Sequence, residues 1–172
     1  FFNKAQLLTG NLNGTYNIIC FSIAFALIPI AKKIGPKRLH FFSLAIGGFG
    51  LLCMPLLNDT DILFVLPFGS GIEISQIYLF SFCMGITWAS MMAMPYQMLA
   101  STIPTNKMGI YMGIFNMFIV IPMIIQIFSV QYIIYDLLGQ NPINIIRLSG
   151  IFLITGGIFS LFVSLPAKAD SI

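Results

Sequence analysis

Residues 94–116, MPYQMLASTIPTNKMGIYMGIFN, place a short polar segment between two long apolar runs. The polar segment STIPTNK holds the one lysine of this stretch, and Pro95 lies in the apolar run before it. A helix of about 20 apolar residues is long enough to cross about 30 Å of hydrocarbon. The pattern therefore predicts two membrane-spanning helices joined by a short polar loop.

The composition of the whole chain extends this prediction. Of 172 residues, 58% are hydrophobic and 8% are charged, and the mean hydropathy is +0.97. Eight basic and five acidic side chains cannot cover the surface of a soluble domain of this size. The net charge of +3 is small and gives no support for nucleic-acid binding. We therefore predict an all-α polytopic membrane protein whose main surroundings are the lipid bilayer.

Five apolar runs are long enough to span the membrane. They cover residues 12–31, 39–57, 77–100, 110–134 and 148–167. None of these runs contains Asp, Glu, Lys or Arg. Between the second and third runs, the segment ILFVLPFG is too short to span, and we expect an interfacial turn or a strand-like lid there.

The charged loops predict the orientation of the chain, because membrane insertion keeps loops rich in Lys and Arg on the cytoplasmic side. Residues 32–38, KKIGPKR, carry four positive charges and are placed inside, whereas residues 58–76 carry only acidic charges and are placed outside. Lys107 and Lys168 then fall inside, and Arg147 falls outside. We predict a multi-pass protein of the inner or plasma membrane with a cytoplasmic C-terminus. Its external start and odd number of spans favour a C-terminal fragment.

The predicted spans offer little for catalysis. Chemistry within a membrane requires a nucleophile with a base, or a metal with His and carboxylate ligands. The one histidine, His40, lies at the edge of the second span, and Cys20, Cys53 and Cys83 are far apart in apolar surroundings. We therefore predict no enzymatic activity, no catalytic residue, no metal site and no cofactor.

Polar side chains inside the spans are the candidates for substrate binding. Asn13 and Asn17 share one face of the first span, Trp88 lies deep in the third, and Asn116 and Gln126 lie in the fourth. An amide buried without a partner costs a few kcal/mol, so these side chains should face the bundle or water. Each one fits an interhelical hydrogen bond as well as a ligand contact. Together, amides and an indole without fixed charge suit a neutral, hydroxyl-rich ligand.

Small residues and prolines predict close helix packing and bent helices. Residues four positions apart share one helix face, so a row of small residues lets two backbones approach closely. A proline inside a span frees the carbonyl one turn earlier, which favours bent helices around a cavity. The candidates for packing or kinks are Gly85, Ala89, Pro95, Gly109, Gly113 and Pro122.

Two segments carry a family resemblance. Residues 85–122, GITWASMMAMPYQMLASTIPTNKMGIYMGIFNMFIVIP, resemble helices ten and eleven of major facilitator superfamily transporters, in the branch of sucrose/proton symporters and related sugar carriers. In that branch W-A-S, P-Y, G-x-Y-M-G-I-F-N and I-V-I-P recur together. Residues 26–40, ALIPIAKKIGPKRLH, resemble the basic gating loop between helices eight and nine. The loop candidates are Lys33, Gly35, Lys37 and Arg38, whereas Ile28 and Lys32 replace the Gly and Asp of the family motif.

The resemblance implies a twelve-helix fold of two six-helix halves, in which residues 1–172 supply helices eight to twelve and the N-terminal half and most of helix seven are missing. It implies secondary active transport of a neutral solute, a di- or oligosaccharide, by alternating access, with a proton as the coupling ion. The proton-coupling acid would lie in the missing half. Two alternatives remain: a multidrug or amphiphile exporter of the same superfamily, and a non-transporting membrane scaffold or sensor.

Overall fold

The computed structural model describes residues 2–67 and 72–165, and these residues are 82% helical. The long helices are α1 (Phe2–Ile34), α2 (Pro36–Cys53), α3 (Tyr78–Ala100), α4 (Met108–Ser129) and α6 (Pro142–Leu161). Between α4 and α6 lie a π-helical turn over Val130–Ile134 and the short helix α5 (Tyr135–Leu137). Short 3₁₀ turns at Met54–Leu56 and Thr105–Lys107 follow α2 and precede α4.

Four helical segments in the described part of the chain are long and apolar enough to cross a membrane. They are Phe2–Ile34, Pro36–Leu56, Thr105–Leu137 and Pro142–Leu161. Helix α3 corresponds to the third of the five predicted spans, residues 77–100, and is 23 residues long without a charged residue. It is less apolar than these four segments, because it contains polar residues such as Thr87, Ser90 and Gln97.

Two helices begin earlier than the hydrophobic pattern predicts. Helix α1 begins at Phe2 instead of residue 12, because no proline interrupts the more polar segment before the apolar run. Helix α6 begins at Pro142 instead of residue 148, where the backbone N–H of Ile143 donates to the side-chain oxygen of Asn141 at 3.0 Å. An Asn cap followed by Pro is a favoured helix start. The predicted end of the last span, residue 167, lies outside the described residues.

The segment between α2 and α3 contains a small two-stranded sheet beside the mostly helical remainder. Strands β1 (Ile62–Leu66) and β2 (Ile72–Ser75) pair antiparallel, with Val65 opposite Glu73. Branched and aromatic residues in ILFVL favour an extended chain. Of the two structures expected for this segment, the strand-like one is therefore present.

Helix α2 lies between α3 and α6, and α3 also packs along α1. Helices α2 and α6 come closest at Gly48 and Gly150, where a Cβ added to either residue would lie 2.6 or 2.7 Å from the carbonyl oxygen of the other. Only glycine permits this approach. The apolar core joins α1, α2 and α3 and consists of Leu27, Ala31, Leu39, Ala89, Met94 and Met98.

Helix α4 makes few contacts with the rest of the described chain. It touches α3 near the loop between them, and none of its residues is buried. Most of its exposed surface is apolar, which is typical of a helix in lipid or inside a larger assembly. Pro122 lies inside it, and the π-helical turn follows its last residue.

Candidate substrate cavity

A cavity of about 380 Å³ lies between α1, α3 and the end of α2. Its volume falls at the lower end of the range of small-molecule sites. Two of the predicted binding residues, Asn13 and Trp88, lie in its wall although they are far apart in sequence. The lining residues are Thr9, Leu12, Asn13, Tyr16, Met54, Phe80, Met84 and Trp88.

Close packing of α1 against α3 positions this wall. A Cβ at Gly85 would lie 3.0 Å from the carbonyl oxygen of Tyr16 and 2.8 Å from the Cβ of Ile19. One turn earlier on α3, the hydroxyl of Ser81 donates to the carbonyl oxygen of Leu12 at 3.1 Å. The two contacts set the register of the helices, so that the side chains of α1 and α3 meet at the cavity. Ala89, one turn after Gly85, is buried in the core.

The cavity combines polar groups with an apolar wall. Within the described residues, the structure records no hydrogen bond from the side-chain amide of Asn13 or from the hydroxyl of Tyr16. The indole of Trp88 is 39% exposed, so part of its face is open to a ligand. The amide and the phenol can donate to and accept from hydroxyl groups, and the indole can donate through its N–H and stack on an apolar ring face.

Three predicted binding residues lie outside this cavity. The side-chain amide of Asn17 donates to the carbonyl oxygen of Asn13 at 2.8 Å, a bond within helix α1. The hydroxyl of Tyr96 donates to the side-chain oxygen of Asn116, which joins α3 to α4. Gln126 is exposed on α4. The structure thus brings Asn13 and Trp88 together and leaves the other three elsewhere.

The predicted packing residues also differ in their surroundings. Gly85 and Ala89 are buried, and Gly85 lies directly against α1. Gly109 and Gly113 are exposed, and a Cβ added to either would meet no atom within 4 Å. Within the described chain, therefore, no helix packs on the glycine row of α4. Pro95 and Pro122 lie inside α3 and α4, and the ring pair of Tyr96 and Phe115 follows Pro95 with centroids 5.1 Å apart.

A second cavity of about 380 Å³ lies toward the other end of α3. Its wall includes His40 from α2, Pro95 and Met98 from α3, and Phe115 from α4. Trp88 and Pro95 are seven residues apart on the same helix, which corresponds to about 10 Å along the axis. The two cavities therefore flank a central segment of α3.

This central segment is tightly packed against α2. Thr87 and Ser90 are completely buried. The hydroxyl of Thr87 donates to the carbonyl oxygen of Ser43 at 2.8 Å, and Nδ1 of His40 lies 3.0 Å from the hydroxyl oxygen of Ser90. Hydrogen bonds thus satisfy the buried polar groups at this contact between α2 and α3.

Thr9 and Tyr16 contribute to the first cavity but were absent from the predicted binding set. Thr9 lies four residues before Asn13, on the same face of α1, and was missed because the predicted span began at residue 12. Tyr16 lies three residues after Asn13, so helical spacing alone could have identified it. Met54 and Phe80 carry no comparable signal in the sequence.

The basic loop candidates lie together at the turn between α1 and α2, at the edge of a separate cavity. Gly35 connects the two helices with φ of +83°, a value that residues with a Cβ rarely adopt. Its N–H donates to the carbonyl oxygen of Ala31 at 2.9 Å, which closes the end of α1. This turn brings Lys33, Lys37 and Arg38 to one cavity.

Within residues 2–67 and 72–165, no group of three or more His, Cys, Asp or Glu side chains is arranged to hold a metal ion. No protein-family model, curated protein or solved structure matches the chain.

Proposed function

We propose that the chain forms part of a secondary active transporter for a small neutral solute, a di- or oligosaccharide moved together with a proton by alternating access. In this proposal, the long helices correspond to helices eight to twelve of a major facilitator fold in the cell membrane. The C-terminus is cytoplasmic, and an N-terminal half carries the coupling acid. The observation that supports transport best is the pair of cavities flanking the packed centre of α3.

The lining of the first cavity supports the proposal that the substrate is neutral. Asn13 and Tyr16 offer hydrogen bonds, Trp88 offers a stacking surface, and none of the described residues in the wall is charged. A sugar hydroxyl that loses water needs such partners, because an unpaired polar group in an apolar site is costly. A charged solute would have no counter-ion in this wall.

The surface of α4 supports the proposal that further helices pack beside it in the intact protein. This helix has no buried residue, yet it carries two exposed amides. The side-chain oxygen of Asn116 accepts from Tyr96, whereas the described residues record no hydrogen-bond partner for the side chain of Gln126. In hydrocarbon an amide without a partner is unfavourable, so a helix with this surface favours protein or a water-filled cavity beside it. A companion half that encloses a solute pathway meets this requirement.

An amphiphile exporter is the second candidate, because Leu12, Met54, Phe80 and Met84 make much of the first cavity apolar. Flexible Met side chains adapt to ligands of different shape. Such a protein would expel a lipophilic cation and would leave sugar uptake unchanged.

Uptake of radiolabelled sucrose into vesicles with an imposed pH gradient tests the proposal in the intact protein. Asn13→Ala should raise the KM about 2- to 10-fold, the range for one hydrogen bond to a neutral ligand. Trp88→Ala should raise the KM further by removing the stacking surface. Phe82→Ala is the matched control, because Phe82 is a large exposed residue of α3 outside the cavity wall.

Three other results would count against the proposal. Equal KM values for Asn13→Ala, Trp88→Ala and Phe82→Ala would reject this cavity as the binding site. Efflux of a labelled lipophilic cation without sucrose uptake would favour the exporter. Substrate binding without flux of either compound would favour a scaffold or sensor.

A further inference from the structure

Three basic side chains surround a cavity at the turn between α1 and α2. The cavity has a volume of about 300 Å³ and is lined by Lys33, Ile34, Gly35, Lys37 and Arg38. Lys33 belongs to the last turn of α1, whereas Lys37 and Arg38 belong to the first turn of α2. The sharp turn at Gly35 is what brings charges from two helices to one place.

The charges of α2 are at the unfavourable end of their helix. A helix N-terminus carries a partial positive charge and free N–H groups, so it favours anions and disfavours cations. The first turn of α2 contains no acidic residue, and no side chain caps it. Lys37 and Arg38 therefore add positive charge to an end that is already positive.

No carboxylate compensates these charges within the described residues. The ion pair recorded there joins Lys4 to Asp59 at 3.8 Å, far away in the outer segment. Lys33 at the end of α1 is explained by the negative end of that helix, but the same argument makes Lys37 and Arg38 unfavourable. An anion in the cavity would satisfy all three cations and the free N–H groups of α2 together.

We propose that this cavity binds a phosphate group through Lys33, Lys37, Arg38 and the first turn of α2. The phosphate group comes from an anionic lipid or from a soluble phosphate. The position of the cavity at the ends of two helices, with exposed Ile30 and Ile34 beside it, allows the acyl chains of a lipid to lie along α1. This site is separate from the proposed solute cavity and does not depend on transport.

Native mass spectrometry of the intact protein in neutral detergent tests the site, with phosphatidylglycerol and phosphatidylcholine as probes. Phosphatidylglycerol should form a one-to-one adduct, and phosphatidylcholine, whose headgroup carries no net charge, should bind at least about tenfold more weakly. The double variant Lys33→Gln/Lys37→Gln should lower phosphatidylglycerol binding about tenfold or more. Lys33→Arg/Lys37→Arg should retain it, because the charge is kept.

Lys32→Gln/Lys107→Gln is the matched control. It also removes two positive charges predicted to be cytoplasmic, but neither residue lines the cavity. Because neither side chain lines the cavity, each loss removes only a solvent-screened attraction, and we expect less than about a threefold change. Circular dichroism of each variant verifies that the helices are retained.

The outcomes distinguish a lipid phosphate, a soluble phosphate and nonspecific electrostatic attraction. Displacement of the lipid by inorganic phosphate would identify a soluble phosphate as the ligand, and resistance to it would identify the lipid. Equal losses in the cavity variant and the control, or equal binding of both lipids, would overturn the proposal and leave only diffuse surface attraction.

Discussion

Replacing Gly150 with Ala tests the contact that joins α2 to α6. The added methyl group would lie 2.7 Å from the carbonyl oxygen of Gly48, 3.0 Å from Cγ of Leu52 and 3.2 Å from Cβ of Leu51. The nearest of these atoms is backbone, so relief requires the helices to separate. Overpacking of this kind costs about 1–3 kcal/mol. The gain from replacing Gly in a helix is about 1 kcal/mol, so a net loss of about 0–2 kcal/mol is expected.

Gly156→Ala provides the control on the same helix, because a Cβ there meets no atom within 4 Å. Only the helix-propensity gain should act, and the variant should be stabilised by up to about 1 kcal/mol. Equilibrium unfolding in mild detergent measures both variants, with the fluorescence of the one tryptophan, Trp88, as a probe of tertiary structure. The difference between the two variants isolates the steric cost, which should be about 1–3 kcal/mol.

The double variant Gly48→Ala/Gly150→Ala sharpens the test. Once the first methyl group has separated the helices, the second should cost less than it does alone, so the two effects should be less than additive. Equal free energies of unfolding for Gly150→Ala and Gly156→Ala would refute the reasoning, because the close approach would then carry no energetic weight.

Two further predictions concern α3 and the turn before α2. Thr87→Val should lower the free energy of unfolding by about 1–3 kcal/mol, because the buried contact loses the hydroxyl that bonds the carbonyl oxygen of Ser43 across the helix interface. Thr155→Val should change it much less, since the exposed Thr155 hydroxyl bonds only within its own helix. Gly35→Ala should cost about 1–3 kcal/mol because of its φ of +83°. Gly10→Ala, in an open part of α1, should not destabilise, and both pairs are measured by the same unfolding assay.

The existence of the long helices was predictable from the sequence, but several of their ends were not. Apolar runs report which residues tolerate lipid, whereas a helix continues until the backbone is interrupted. Helix α1 therefore extends back to Phe2 through residues too polar to be counted in a span. The start of α6 had a readable local signal in Asn141 and Pro142, which the hydropathy pattern concealed.

The residues of the first cavity were only partly predictable from the sequence, because their positions depend on contacts between helices. Polarity within an apolar helix identifies Asn13 and Trp88 as unusual, but it does not say which turn of α1 meets which turn of α3. That register depends on the close approach at Gly85 and the hydrogen bond from Ser81, both of which are tertiary contacts. The same limitation applies to Asn17, whose amide bonds its own helix instead of entering the cavity.

The described contacts also indicate where the bundle can rearrange most easily. Helices α2 and α6 meet backbone to backbone at Gly48 and Gly150, and a shift there would require both helices to move together. Helix α4 has no such contact, and its side-chain link to α3 is the hydrogen bond from Tyr96 to Asn116 with the adjoining ring pair. Interfaces with few buried contacts have the lowest cost of local rearrangement. Because Pro95 and Phe115 at this junction also line the second cavity, a displacement of α4 would change that cavity while leaving the wall formed by Asn13 and Trp88 intact.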